Sequence, residues 1–115
     1  MTKKLSVAGL ASDIHHKGKS TTTTAFFKSI LLKKLRGLRF GRLVIVDGSN
    51  TFIFGDQHSE LRATITVTSQ EFYVFLGSGG TLGAAEAYTT GYWFADNLVS
   101  LVQIIIKNKK TMENL

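Results

Sequence analysis

Apolar side chains recur at helical spacing over residues 24–38. At 100° per residue, Phe26, Phe27, Ile30, Leu31, Leu35 and Leu38 share one half of the wheel, and Lys28, Lys33, Arg36 and Arg39 share the other. Lys34 interrupts the apolar half, and Leu32 sits among the charges. Thr23 or Thr24 is placed to cap the start, and Gly37 or Gly41 to end it. The period then changes. Residues 43–46 and 51–54 are β-rich runs that flank Asp47-Gly48-Ser49-Asn50. Asp-Gly at that point predicts a hairpin, because the turn needs residues that tolerate φ > 0. Threonine alternates with apolar residues over 63–68, which predicts an antiparallel strand with one buried and one wetter face.

Ser69 is the expected N-cap of a helix that holds Phe72, Tyr73, Val74, Phe75 and Leu76 and ends at Gly77. Gly79, Gly80 and Gly83 break up the next stretch. A second short helix is predicted over 82–88, Gly91 stops it, and Tyr92-Trp93-Phe94 is extended. Asp96 or Asn97 caps a last helix that runs to about residue 108. It is apolar nearly all round: Leu98, Val99, Leu101, Val102, Ile104, Ile105 and Ile106. Such a helix is buried on several sides or covers a lipid cavity. Its isoleucines favour a strand locally, but the Asp cap and Lys107, Lys109 and Lys110 suit the two ends of a helix dipole. The elements together predict an α+β fold, an antiparallel sheet of about three to five strands with helices packed mainly on one face. Residues 1–22 read as a flexible basic leader, 23–108 as a single domain, and 109–115 as the start of a linker.

Composition narrows the possibilities. A chain of 115 residues with 43% apolar content supports one core and is too short for two. It has no cysteine, which removes disulfides, zinc-thiolate sites and thiol nucleophiles. No apolar run approaches the roughly 18 residues that span a bilayer. The expected location is cytoplasmic, with a peripheral place at the inner membrane face. The net charge of +6 is unevenly distributed: ten basic residues and one acid before position 43 give +9, and four basic residues and seven acids after it give −3. A basic first segment calls for an anionic partner, phospholipid head group or nucleic acid.

Few residues carry chemistry. Adjacent His15 and His16 have no third metal ligand nearby, and Gly18-Lys19-Ser20-Thr21 lacks the earlier glycine of a phosphate loop, since Asp13 stands there. The dinucleotide spacing fails in residues 77–83, where Leu82 stands in place of a glycine. That loop reads as a connection in which glycine supplies φ > 0 or close backbone approach. Glu86, between alanines and near Tyr88 and Trp93, reads as a buried carboxylate that fixes a turn in preference to a catalytic base. His58 lies in a polar loop with Asp56 and Glu60. No catalytic set, metal site or cofactor site is expected in this chain. Phe72, Phe75, Tyr88, Trp93, Leu98, Leu101 and Ile105 form either the core or an acyl pocket.

Three segments carry a family resemblance. Residues 41–48 are followed by Phe54-Gly55, and then by the strand at 63–67 with Phe72. The most specific is Gly80-Thr81-Leu82-Gly83-Ala84-Ala85-Glu86-Ala87-Tyr88-Thr89-Thr90-Gly91-Tyr92-Trp93, with Asn97-Leu98 after it. Over about 24–108 the chain resembles the N-terminal domain of cyclopropane-fatty-acyl-phospholipid synthases. The positions that match are Leu82, Gly83, Glu86, Ala87, Tyr88, Gly91, Trp93 and Leu98. Thr89-Thr90 and Tyr92 stand where that family carries Met-Asp and an acid. The order of elements more coarsely resembles sterol carrier protein domains, which enclose a lipid.

The resemblance implies a sterol-carrier-protein-like fold and structural roles for Gly83, Glu86, Tyr88, Gly91 and Trp93. It also implies a parent S-adenosylmethionine-dependent methyltransferase acting on unsaturated phospholipids, its cofactor held in a following domain. The chain is then expected to be a fragment, or the product of a gene that kept only the first domain, that binds lipid or membrane and presents acyl chains to that domain in cis or in trans. Lys28, Lys33, Arg36 and Arg39 are the expected head-group contacts. The alternatives are a stand-alone lipid carrier and a docking or dimerisation module without lipid. Nucleic acid is disfavoured, because the aromatics are not interleaved with the cations.

Overall fold

Helix α1 (Lys17–Leu35) enters a hairpin of β1 (Arg42–Asp47) and β2 (Asn50–Gly55), and β3 (Arg62–Val67) follows. The chain continues through α2 (Glu71–Thr90), the short β4 (Trp93–Ala95) and α3 (Leu98–Lys107). This is a computed structural model and it describes residues 17–110. Helix α1 begins inside the segment expected to be a leader. The rest of that leader, His15 and His16 included, and most of the expected linker lie outside the described residues.

The α+β class is as read from the sequence, and the sheet is mostly antiparallel, in the order β2-β1-β3-β4. The hairpin closes on a two-residue loop, with Asp47 opposite Asn50 and Gly48 at φ 61°. One pairing departs from the antiparallel expectation: β3 runs parallel to β1, Arg42 beside Arg62 through Asp47 beside Val67. Strand β2 takes one side of β1, and the loop over residues 56–61 then carries the chain under the start of β1 to its other side. Two backbone bonds hold this crossing, Asp56 N–H to the Gly41 carbonyl at 2.8 Å and Arg42 N–H to the Leu61 carbonyl at 2.9 Å. Alternation along a strand reports its faces and says nothing of its neighbour's direction, so the parallel pair left no trace in the pattern.

The core lies where Leu43, Ile45, Ala63, Ile65 and Val67 of the sheet meet Leu35, Leu38, Phe72, Tyr73, Ala87, Leu101 and Ile104. Helix α2 joins the two helices expected from the sequence. It passes through a break at Gly80 (φ 57°, ψ −135°), a conformation open to glycine alone. At Gly83 a Cβ would stand 1.9 Å from the carbonyl oxygen of Phe75, so the two halves of α2 touch backbone to backbone. Glycine to alanine in a helix ordinarily gains about 1 kcal/mol, whereas overpacking costs about 1–3 kcal/mol. The steric cost wins at Gly83, because the atom that would have to move is backbone. We expect Gly83→Ala to lower stability by about 2 kcal/mol in urea unfolding. Gly79, with nothing within 4 Å of its Cβ position, should gain stability on the same change. A neutral Gly83→Ala would show that the halves of α2 do not pack this closely.

Candidate functional site

Helices α1 and α2 pack side by side because a glycine receives an aromatic ring. A Cβ at Gly77 would lie 2.0 Å from Cδ1 of Phe27, so only glycine admits the ring there. Beside this notch runs an open groove of about 390 Å3. Phe27, Ile30, Leu31 and Lys34 of α1 line it, together with Leu76, Gly80, Thr81 and Ala84 of α2 and Ile105 of α3. Its walls are apolar apart from Lys34 and Thr81. The lysine that interrupts the apolar half of α1 is thus the cation of this groove.

Helix α3 borders the groove through Ile105 and continues its apolar surface. Asn97 caps it by accepting the Ser100 N–H at 3.0 Å. Only Leu101, Ile104 and the following Asn108 are buried. On a 100° wheel, Leu98, Val99, Val102, Ile105 and Ile106 form a separate stripe about 120° wide. That stripe is solvent-exposed, to 68% at Val99 and 65% at Ile106. The helix is therefore not buried on several sides. It covers the sheet with one edge and turns an apolar face outward.

The four cations assigned to head groups do not act together. Lys28 turns inward, 3.1 Å from Asp47 Oδ2, and its ammonium also lies over the rings of Phe52 and Tyr73. This corrects its place on the solvated half. It falls only about 20° from the buried Leu35 on the wheel, and that was the available signal. Arg36 lines a different groove, beside β2. Lys33 and Arg39 are exposed, and the Arg39 backbone is held by Asn108.

The candidate pocket residues divide as well. Phe72, Trp93 and Leu101 are core, with the Phe72 and Trp93 rings 5.9 Å apart. Trp93 donates its Nε1–H to the Ala84 carbonyl at 2.9 Å and carries the half-exposed Tyr88 ring 4.9 Å away. Phe75 packs edge-on against Tyr92 at 5.4 Å. Leu98 is on the outer stripe, and of this set only Ile105 lines the groove. Gly91 ends α2 at φ 89°. Glu86 is exposed, so its reading as a buried, turn-fixing carboxylate does not hold. Glu86 projects from the second half of α2, which packs against the rest of the fold through Gly83 and Ala87.

The sequence reading missed the carboxylate of Asp47. It accepts from Tyr73 Oη at 2.7 Å, from Gln70 Nε2 at 2.8 Å and from Lys28 Nζ at 3.1 Å. Burial by itself would raise its pKa. The hydrogen bonds from Tyr73, Lys28 and Gln70, with the Lys28 charge, outweigh burial and hold the carboxyl below its ordinary value. Burial and the neighbouring carboxylate push the Tyr73 hydroxyl upward. A carboxylate saturated by three donors and stabilised in its charged form is a poor base, so this cluster ties α1 and α2 to the hairpin and carries no chemistry. Among the described residues no three His, Asp or Glu side chains converge as metal ligands, and no helix is long and apolar enough to cross a membrane. Comparison with protein-family models, curated proteins and solved structures returns no match.

Proposed function

We propose that this chain is a non-catalytic domain that rests on an anionic membrane surface and presents phospholipid acyl chains to a methyltransferase domain of the cyclopropane-fatty-acyl-phospholipid synthase kind. The observation that carries the reading is the outward apolar stripe of α3, continuous through Ile105 with the groove between α1 and α2. Contiguous exposed apolar surface of this kind marks an interaction site, and cations around it suit anionic lipid. Lys34 stands in the groove wall, Lys33 is exposed one residue before it, and Lys107, Lys109 and Lys110 follow the stripe. Insertion of α3 to the depth of its stripe sets these lysines at head-group level, with the groove open to an acyl chain. S-adenosylmethionine and the catalytic residues belong, on this reading, to the methyltransferase domain, in cis or in trans. The domain then works peripherally on the cytoplasmic face of the membrane. A reading frame that continues past Leu115 into a glycine-rich strand-turn-helix would support the cis arrangement.

Vesicle co-sedimentation tests the proposal. The chain is expected to pellet with phosphatidylglycerol-containing vesicles and to stay largely in solution with phosphatidylcholine alone. Val99→Glu with Ile106→Glu removes two exposed apolar contacts and should weaken binding by about tenfold or more without unfolding the domain. No binding to either vesicle sinks the lipid reading, and equal binding to both sinks its electrostatic part. Micromolar self-association that the same double variant abolishes would assign the stripe to the dimerisation alternative.

A further inference from the structure

A second groove, of about 410 Å3, runs on another side of α1, between that helix and β2. Leu32 and Arg36 form one wall, and the five consecutive residues 51–55 form the other. A groove over one face of a strand would meet only alternate residues, so this one follows the strand's edge. β2 is an edge strand, paired only with β1. The bond from Asp56 N–H to the Gly41 carbonyl sets the parity of the ladder. Counting back along the antiparallel register, Phe54 and Phe52 point their backbone groups at β1, and Thr51, Ile53 and Gly55 point theirs outward.

Edges of this length are ordinarily guarded by charge, proline or a bulge. β2 reads Asn50-Thr51-Phe52-Ile53-Phe54-Gly55, with neither charge nor proline, and its register with β1 is unbroken. The charged group in the groove wall is Arg36, which has no ion pair among the described residues. Lys33 is exposed on the same helix, and Asp56, which follows β2 directly, accepts the His58 N–H through one carboxylate oxygen.

We propose that β2 accepts an extended acidic segment of a partner protein as a fifth strand. Backbone groups of Thr51, Ile53 and Gly55 bond the segment, and Arg36 pairs with a carboxylate on it. Strand addition of this kind takes its affinity from main-chain bonds and its selectivity from the side chains beside the edge. A second copy of the chain is the less favoured occupant, because it brings no acid along β2 to meet Arg36.

The test is an NMR titration of the full chain with a capped six-residue peptide of alternating threonine and valine carrying a central glutamate. Shifts should concentrate at the amides of Thr51, Ile53 and Gly55 and at the Arg36 side chain. A lysine-centred peptide should bind about fivefold more weakly, a preference that Arg36→Glu reverses. Ile53→Pro removes an N–H that the β1 ladder does not use, so the fold survives and binding is lost. If that variant fails to fold, the same peptide N-methylated at alternate residues makes the test on the unaltered protein, and it should not bind. No shifts at millimolar peptide, shifts centred elsewhere, or equal binding of the N-methylated peptide would overturn the proposal. Concentration-dependent broadening confined to β2 in the absence of peptide would also overturn it, in favour of a second copy.

Discussion

Replacing Asp47 with alanine is expected to lower the unfolding free energy by about 3 kcal/mol. The change strands three donors at once: the Lys28 ammonium, the Gln70 amide and the fully buried Tyr73 hydroxyl. Removing one partner of a buried ion pair typically costs about 3–5 kcal/mol, and the low end applies because Lys28 keeps 26% of its side chain exposed. Asp47→Asn keeps the shape and one acceptor, so its loss should be smaller, about 1–2 kcal/mol. Urea unfolding followed by Trp93 fluorescence measures both. A loss below about 1 kcal/mol for alanine would mean that the pair behaves as an ordinary surface salt bridge.

The same cluster sets a pH dependence on each side of neutrality. The Asp47 carboxyl has a folded pKa below its unfolded one. Its contribution is therefore complete above the unfolded value, about 3.9, and is lost as pH falls through the folded value. The Tyr73 hydroxyl has a folded pKa above its unfolded value of 10.0. Its contribution is complete below that value and is lost as pH rises through the folded one. The acid limb should flatten in Asp47→Asn and the alkaline limb in Tyr73→Phe.

Asn108→Ala should cost a similar amount, about 3 kcal/mol, for a different reason. This fully buried amide accepts the N–H groups of Arg39 and Phe40 at 2.8 and 3.0 Å. It donates to the carbonyls of Phe40 and Ile104 at 2.8 and 2.7 Å. One side chain thus joins the end of α3 to the segment between α1 and β1. Truncation leaves two backbone donors and two acceptors without this partner, each costing about 1–3 kcal/mol where water cannot replace it. Amide exchange at Arg39 and Phe40 should accelerate in the variant. Unchanged exchange there would show that the bonds are not what holds the segment. Asn108→Asp keeps the acceptors but turns a carboxylate toward two carbonyls, so it should not rescue the fold.

Much of the fold was legible because its signals are local. Asp47-Gly48 makes a turn through its own backbone preferences, Asn97 caps α3 through an oxygen three residues from its partner, and Gly91 stops α2 by adopting positive φ. The threonine alternation of β3 named its buried face for the same reason: the pattern and the structure share a period of two. The candidate site was legible only in kind. The apolar helix α3 and the basic face of α1 were visible, but the groove is built by Phe27 meeting Gly77, fifty residues later in the chain.

By itself, then, the sequence determined the elements, the class and the concentration of charge in the first third of the chain, since each depends on neighbours a few residues away. Tertiary structure alone decided three things. It chose the parallel partner of β1, because a strand's two edges are equivalent until the chain has crossed beneath it. It chose which part of α3 to bury, because Ser100, Gln103 and Lys107 mark one polar stripe while the apolar residues spread over about 220° of the wheel, more than a single packed face covers. It also drew Lys28 inward to Asp47 and left Arg36 beside an open strand edge. On the wheel Lys28 stands beside Leu35 and Arg36 stands about 100° from it, which hints at the difference without naming a partner. What separates them is the carboxylate that the fold brings to one and withholds from the other.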